Sequence, residues 1–181
     1  MSILESDIER VFFTEDELQK KVQELGASIT ADYKDKNPLF IGVLKGSFVF
    51  MADLMRSVNT YCDIDFMAVS SYGKGTITTG AVKITKDLSY DVQGRHVIII
   101  EDILDSGITL SYLKKYIENR KPASIAICTL LDKPSRRKSN INADYAGFIC
   151  PDAFIVGYGL DYSERYRNLP YIGVLKPEIY T

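Results

Sequence analysis

Histidine, cysteine and tryptophan are scarce in this sequence, and the scarcity of the first two argues against several classes of site. Among 181 residues there are one histidine, three cysteines and no tryptophan. The lone His96 leaves little basis for a histidine-containing triad or a zinc site. Cys62, Cys128 and Cys150 are widely spaced and form no C-x-x-C pair. We therefore predict reduced, buried thiols rather than disulfides or a metal cluster.

Long hydrophobic runs and an excess of positive charge are also missing. The first residues mix acidic with short apolar patches, unlike the apolar core of a secretory signal. No apolar run approaches the roughly 18 residues that cross a bilayer. Lys and Arg number 22 against 24 Asp and Glu, so no net positive field attracts nucleic acid or an anionic membrane. We expect a cytoplasmic protein with small-molecule partners and local phosphate recognition.

The residues that are present predict one α/β domain over positions 1–181. Hydrophobic residues make up 46%, and no repeat or linker divides the chain. Thr14 to Glu17 spell a capping box that starts a helix reaching about Tyr33. Apolar strands alternating with helices favour a mostly parallel sheet. Helices are predicted at 48–56 and 110–120, strands at 39–44, 64–70, 96–101, 124–131 and 171–175, and an exposed hairpin or lid at 71–85.

The most informative segment is Val97–Leu110, which reads VIIIEDILDSGITL. We predict a buried strand that ends at Glu101, an acidic loop, and then a helix. Ligands of open α/β sheets bind at this edge. Glu101 and Asp102 suit ribose hydroxyls or a hydrated Mg²⁺, while the amides and hydroxyls from Asp105 to Thr109 suit a phosphate. A phosphorylated ribose satisfies both halves, whereas mere helix capping by Asp105 and Ser106 leaves the full pattern unexplained.

The same segment resembles the phosphoribosyl-diphosphate motif of type I phosphoribosyltransferases, in particular their hypoxanthine-guanine branch. The similarity extends over almost the whole chain. That family's fold has a mostly parallel sheet flanked by helices, a small hood and a flexible loop. The remaining motifs follow in the family's order: a diphosphate loop at Leu44–Ser47, a flexible loop at Ser70–Gly73, a purine-recognition lysine at Asp132–Pro134, a base-stacking strand at Pro151–Tyr162 and a closing arginine segment at Arg165–Leu169.

The resemblance implies transfer of a 5-phosphoribosyl group to a 6-oxopurine, with Mg²⁺ as cofactor. Asp105 would accept the proton from the purine N7. Glu101 and Asp102 would hold the ribose hydroxyls and the metal, and Asp161 a second metal through water. The 5-phosphate would bind the turn formed by Asp105, Ser106, Gly107, Ile108 and Thr109. Ile108 replaces a lysine of some members, which matters little if the backbone amide holds the phosphate. Ser106 replaces a threonine but retains the hydroxyl.

The resemblance also assigns the diphosphate and the base. Lys45, Gly46 and Arg167 would bind diphosphate, with Ser71 and Tyr72 closing over it. In the purine site, Lys133 would donate to the 6-oxo group, Phe154 would stack on the ring, Ile155 would bond the base edge through its backbone, and Asp161 would complete the pocket.

Two alternatives remain open at the level of sequence. A regulatory module could sense phosphoribosyl diphosphate and bind nucleic acid, although the basic run at 133–138 lacks aromatic platforms and is interpreted as a solvated loop beside Lys133. A phosphoribosyltransferase for another base is also conceivable, and hypoxanthine, guanine and xanthine are not distinguished. The family usually forms dimers or tetramers, so we expect a homo-oligomer, with a homotetramer as the specific expectation.

Overall fold

A six-stranded sheet forms the centre of the protein, seen in a computed structural model that describes residues 3–71, 82–150 and 152–181. The strand order is β4-β3-β2-β5-β6-β7. Every neighbouring pair is parallel except β3 and β4. The predicted mostly parallel sheet is confirmed. The strands are β2 (Leu39–Leu44), β3 (Asp63–Ser71), β4 (Val82–Lys86), β5 (His96–Leu104), β6 (Ser124–Asp132) and β7 (Tyr145–Ile149).

Helices cover both faces of this sheet because its central strand is apolar on both sides. Successive side chains of a strand point to opposite faces. Ile98 and Ile100 of β5 pack in one cluster with α2 (Glu15–Asp32) and α3 (Phe48–Ser57). Val97 and Ile99 pack in a second cluster with α4 (Ile108–Glu118). All four β5 side chains are fully buried, as the run of four β-branched residues predicts.

Helix α2 begins as its sequence predicts. The Thr14 amide donates to Glu17 Oε2 at 2.8 Å, and the Glu17 amide donates to Thr14 Oγ1 at 3.3 Å, which completes the capping box. Leu18, Val22 and Ile29 recur at helical spacing and are buried against the sheet. The helix ends at Asp32, and Tyr33 is its C-cap.

A second, antiparallel sheet pairs the two ends of the chain and packs in the same hydrophobic cluster as one face of the first sheet. Its order is β1 (Ile8–Phe13), β9 (Ile172–Leu175), β8 (Ile155–Val156). The sequence predicted β9 but not β1, which is half exposed and pairs with residues far along the chain. The chain also has two short helices that were not predicted, α1 (Ile3–Ser6) and α5 (Pro177–Tyr180).

The structure corrects one boundary that matters for the site. Strand β5 continues to Leu104, so Glu101 and Asp102 belong to the strand and not to a loop, and the turn proper begins at Asp105. The reason is pairing, because Glu101 to Leu104 keep their register with β6.

Part of the predicted hairpin at 71–85 is described. Val82 to Lys86 form β4, antiparallel to β3, whereas the predictions for Tyr72 and for the Ser71 side chain lie outside the described residues. No helix within the described ranges is long and apolar enough to cross a membrane.

Candidate active site

The turn between β5 and α4 presents backbone amides at the sheet edge. Gly107 is the N-cap of α4 and adopts a left-handed conformation with φ 74°. A Cβ at this position would lie 2.5 Å from both Ile141 Cγ2 and Ser139 Oγ. Any other residue would be strained both by the left-handed backbone conformation and by steric overlap of its side chain, so only glycine fits. Because Gly107 has no side chain to cap the helix, the first amides of α4 are left for an anion.

Two acids lie near the end of β5, Glu101 partly buried and Asp102 buried. Asp102 is buried, and its Oδ1 accepts the Ile103 amide at 2.8 Å. The backbone of Gly46 lies close to the other carboxylate oxygen, since a Cβ on Gly46 would lie 1.7 Å from Asp102 Oδ2. The turn after β2, which contains Lys45 and Gly46 and is called the β2 turn below, therefore packs against Asp102 of β5.

Burial raises the pKa of Glu101 well above its usual range, and the neighbouring Asp102 raises it further. Burial also raises the pKa of Asp102, although hydrogen bonds and the charge of Arg167 oppose the increase. Two adjacent acids that are costly to ionise together would be stabilised by a divalent cation. No group of three or more possible protein ligands exists in the described residues. Glu101 and Asp102 are a carboxylate pair of the kind that binds Mg²⁺, whose shell is completed by water and substrate oxygens.

The C-terminal segment brings an arginine to the same edge. A Cβ on Gly159 would lie 2.2 Å from the Gly46 carbonyl oxygen, so this segment packs directly on the β2 turn. Arg167 donates to the Gly159 carbonyl at 2.8 Å and pairs with Asp161 Oδ1 at 2.9 Å. Its Nε is buried without a hydrogen-bond partner in the described part of the chain.

The lysine of the β2 turn points to solvent. Lys45 pairs with Glu164 at 3.0 Å, and both side chains are exposed. The Leu44–Lys45 peptide bond is cis.

A cavity of about 590 Å³ opens beside the turn. Lys133 lies in its wall and is only 8% exposed. Its ammonium donates to the Ala153 carbonyl at 3.2 Å and pairs with Asp152 at 2.9 Å. Phe154 is 39% exposed, and its ring stacks on Tyr180 with centroids 4.6 Å apart. The cavity is lined by Ile103, Asp105, Lys133, Arg136, Asp152, Ala153, Phe154, Ile155, Leu160, Asp161 and Tyr180.

A second cavity of about 230 Å³ adjoins the acids and the turn. Ile103 and Asp105 line both cavities, so Asp105 lies between the two spaces. A ligand with a planar ring in one cavity and a phosphorylated sugar in the other would therefore pass Asp105. The second cavity is lined by Val43, Leu44, Val69, Glu101, Asp102, Ile103, Leu104, Asp105, Gly107, Thr109 and Leu110.

Most sequence-predicted site residues come together at this edge. The larger cavity contains Lys133, Phe154, Ile155 and Asp161 from the predicted base site. The smaller one contains Glu101, Asp102, Gly107 and Thr109 from the predicted ribose-phosphate site. Ser106 and Ile108 line neither cavity, and Ile108 is exposed. The contribution predicted for Ile108 is through its backbone amide. That predicted for Ser106 is through its amide and its hydroxyl, which accepts the Ile108 amide at 3.5 Å.

Sequence reasoning missed four residues around the site: Arg136, Arg137, Asp152 and Tyr180. The interpretation of 133–138 as a solvated loop is wrong for Arg137, whose side chain is 15% exposed and donates to the Leu104 and Asp105 carbonyls. No local pattern distinguishes it from Arg136, which is exposed. Asp152 was within the matched base segment but carried no assigned role, and Tyr180 lies beyond the last predicted element.

Known proteins resemble this chain throughout its length. Residues 14–163 match the family described as "Phosphoribosyl transferase domain". The sequence is 61% identical to hypoxanthine-guanine phosphoribosyltransferase of Bacillus subtilis over 178 residues, which cover 98% of this chain and 99% of that protein. It is 59% identical to the bifunctional protein TilS/HprT of Listeria innocua, covering 98% of this chain and 28% of that longer protein. A crystal structure of a hypoxanthine phosphoribosyltransferase from Staphylococcus aureus aligns with a TM-score of 0.96 at 51% identity, covering 99% of this chain and 98% of that one.

Proposed function

Since the chain belongs to the phosphoribosyl transferase family, we infer that it catalyses transfer of a 5-phosphoribosyl group from phosphoribosyl diphosphate to hypoxanthine or guanine. The products are IMP or GMP and diphosphate, so the protein is a pentosyltransferase of purine salvage. Within the site, the observation that carries this conclusion is Asp105 at the junction of two cavities, one walled by an aromatic ring and a lysine, the other by paired acids and a helix start.

The larger cavity is the proposed base site. Phe154 offers a flat, partly exposed ring for stacking. The small sheet fixes it, because Ile155 pairs with Val174 and the Phe154 carbonyl accepts the Leu175 amide at 2.9 Å. The Lys133 ammonium can donate to a 6-oxo group, whereas a 6-amino group would present it with another donor. This chemistry supports 6-oxopurines over adenine.

Asp105 is the proposed proton acceptor. As the purine N7 proton leaves and the base attacks C1 of the ribose, a carboxylate at the cavity junction keeps positive charge from building on the ring. In the smaller cavity, the amides from Ser106 to Thr109 would bind the 5-phosphate at the start of α4.

The leaving diphosphate would bind at the β2 turn and the C-terminal segment. Gly46 has no side chain, so its backbone lies directly against Asp102, and Arg167 Nε is buried without a partner in the described residues. Lys45 would exchange its exposed ion pair with Glu164 for the diphosphate, which costs little because exposed pairs are weak. Ser71 and Tyr72 stay assigned to closure of the site by resemblance alone.

We propose that Glu101 and Asp102 hold Mg²⁺ and also bind the ribose hydroxyls. When bound, the cation would neutralise charge that develops on the departing diphosphate. The ion pair between Asp161 and Arg167 makes a direct metal contact for Asp161 less favourable than the water-mediated contact already proposed.

Location and assembly are further proposals. We propose that the protein acts in the cytoplasm and forms a homo-oligomer, a dimer or tetramer, as the family resemblance implies. Sedimentation of the purified chain tests the assembly: a monomer at micromolar concentration would contradict it.

A base panel with phosphoribosyl diphosphate and Mg²⁺ tests the function. We expect nucleotide formation with hypoxanthine and guanine, and little with adenine or pyrimidines. Asp105→Asn should lower kcat by about 10²–10⁴-fold, the range for a lost general base, while affinity for phosphoribosyl diphosphate changes little. Turnover of Asp105→Asn at the wild-type rate would contradict its role. An inactive wild-type protein that shifts RNA or DNA would favour the regulatory module instead.

A further inference from the structure

Three successive carbonyls of the β5–α4 turn are held by one short segment, residues 137–139. Arg137 Nη1 donates to the Leu104 carbonyl at 3.1 Å and to the Asp105 carbonyl at 2.8 Å. The Ser106 carbonyl accepts the Lys138 amide at 2.9 Å and the Ser139 hydroxyl at 3.2 Å. The Leu104 carbonyl also accepts the Lys133 amide at 2.9 Å, at the end of the β5–β6 pairing. The bonds to the Asp105 and Ser106 carbonyls belong to no helix or strand ladder, so side chains and a loop orient this part of the turn.

The Arg137 side chain is largely buried and is held in place by an ion pair. Its side chain is 15% exposed, and its Nη2 pairs with the Asp132 carboxylate at the end of β6. Asp132 is opposite Leu104 in the β5–β6 register, so the guanidinium bridges the ends of the two strands. Arginine suits the role because its planar fork can serve a carboxylate on one nitrogen and carbonyls on another, whereas lysine concentrates its donors on a single atom.

The orientation of these carbonyls decides where the following amides point. In a planar trans peptide, the carbonyl oxygen and the next N–H point in opposite directions. In the described residues the only cis bond is Leu44–Lys45, so the peptides of this turn are trans. Drawing the three carbonyls towards residues 137–139 therefore turns the amides of residues 105, 106 and 107 to the other side.

That other side is where a ligand can enter. On the near side, Gly107 packs so closely on Ser139 and Ile141 that even a Cβ would lie 2.5 Å from each. On the far side, Asp105, Gly107 and Thr109 line the smaller cavity. The turn is thus closed towards residues 137–141 and open towards the proposed ribose-phosphate site.

We propose that Arg137 is a positioning residue for the 5-phosphate: it holds the Leu104 and Asp105 carbonyls so that the turn directs its amides into the phosphate site. This inference rests on the proposed function, since it takes the phosphoribosyl group as the ligand of the turn. Ser139 contributes in the same way through the Ser106 carbonyl, with a smaller effect because the Lys138 amide holds that oxygen too.

The test compares four variants. Arg137→Met removes the guanidinium at similar length, Arg137→Lys keeps the charge, and Ser139→Ala removes one bond to Ser106. Lys138→Met is the matched control, because its side chain is exposed and only its backbone amide holds the turn. For each we would measure kcat, KM for both substrates, and Kd for ribose 5-phosphate by calorimetry, which needs no turnover.

We expect Arg137→Met to raise Kd for ribose 5-phosphate and KM for phosphoribosyl diphosphate by tenfold or more, with KM for hypoxanthine changed less than threefold. Arg137→Lys should lie between it and wild type. Ser139→Ala should raise the same two constants two- to threefold, and Lys138→Met should leave all of them unchanged.

Unchanged ribose 5-phosphate affinity in Arg137→Met, or equal increases in both KM values, would overturn the proposal. If Arg137→Met does not fold, the ratio of the two KM values in Arg137→Lys and Ser139→Ala decides by the same criterion. A wild-type protein that binds ribose 5-phosphate but transfers no phosphoribosyl group from phosphoribosyl diphosphate to a purine contradicts the proposed function, and the calorimetric comparison then still decides the role of Arg137.

Discussion

At the scale of single residues, the site divides into groups that would touch substrate and groups that hold those groups in place. Asp105 and Lys133 line the cavity where a base fits. Arg137 bonds to the turn carbonyls, and Asp152, in the wall of the same cavity, pairs with the Lys133 ammonium. Both groups contain charged residues, but only the residues that would touch substrate belong to a recognisable sequence motif. The second becomes visible only through its contacts.

Lys133→Met should weaken recognition of the base far more than recognition of the sugar. The buried ammonium is the donor that we assign to the 6-oxo group, and a hydrogen bond involving a charged group contributes about 1.5–3 kcal/mol. We therefore expect KM for hypoxanthine to rise by about 10- to 150-fold, with KM for phosphoribosyl diphosphate within threefold of wild type. Steady-state kinetics with each substrate varied in turn measure both values. Equal loss in the two constants would remove Lys133 from base recognition.

At the scale of elements, the ends of strands and a short C-terminal helix shape the site. Strand β5 runs through Glu101 and Asp102 to Leu104, so the acids take their direction from the sheet. Helix α5 has only four residues, yet it places Tyr180 on the ring of Phe154. Phe154 immediately precedes β8, and Tyr180 lies in α5, which follows β9. Because β8 and β9 pair with each other, the small sheet brings the two rings together.

Tyr180→Ala should loosen the base site by removing one side of this stack. The rings lie 4.6 Å apart with an interplanar angle of 17°, and such pairs contribute about 0.5–1.5 kcal/mol. We expect KM for hypoxanthine to rise by about 2- to 12-fold, with kcat little changed. Tyr180→Phe keeps the ring and should restore wild-type kinetics. A loss in Tyr180→Phe equal to that in Tyr180→Ala would show that the hydroxyl, and not stacking, matters.

At the scale of the whole molecule, buried charges join segments that are distant in sequence. Asp65 of β3 is buried and accepts the Phe66 amide at 2.8 Å, the Ser89 amide at 2.6 Å and Lys86 Nζ at 3.3 Å. Burial raises the pKa of this carboxyl, but the hydrogen bonds and the lysine outweigh burial, so its pKa is lowered. A single carboxylate thus ties β3 to the segment that follows β4.

Asp65→Asn should destabilise the fold at neutral pH by about 1–3 kcal/mol, because buried donors lose a charged acceptor. A pKa that is lower in the folded than in the unfolded state stabilises the protein above the unfolded value, which is about 3.9 for aspartate. That contribution is lost as pH falls through the lower, folded pKa. The difference between wild type and Asp65→Asn in urea unfolding should therefore be constant from pH 7 to about 5 and shrink below about 4.

Asp63→Asn is the matched control on the same strand. Its carboxylate is half exposed and pairs with Arg95 at 2.6 Å, and such surface pairs contribute about 0–1 kcal/mol. A pH-independent difference for Asp65→Asn would show that its effect comes from packing and not from its charge.

Much of this architecture could be predicted from local sequence. The capping box at Thr14 and Glu17 makes both of its expected bonds, and Val97 to Ile100 are buried on both faces of the sheet. These features follow from neighbouring residues, because capping geometry and strand periodicity act within a few positions. The candidate site came from ordered motifs, and the structure brings most of those residues to one edge. The single-domain expectation and the residue roles stay predictions.

What only the tertiary structure decided are contacts between segments far apart in the chain. Ile8 pairs with Leu175 in the small sheet, Arg137 reaches the carbonyls of Leu104 and Asp105, and Tyr180 covers Phe154. The sequence of a basic run does not show whether one of its arginines is solvated or buried. The reason is that the partners of Arg137 are backbone oxygens, which have no sequence signature. The sequence alone thus determined which chemistry the turn after β5 could perform, and the fold decided how that turn faces its ligand.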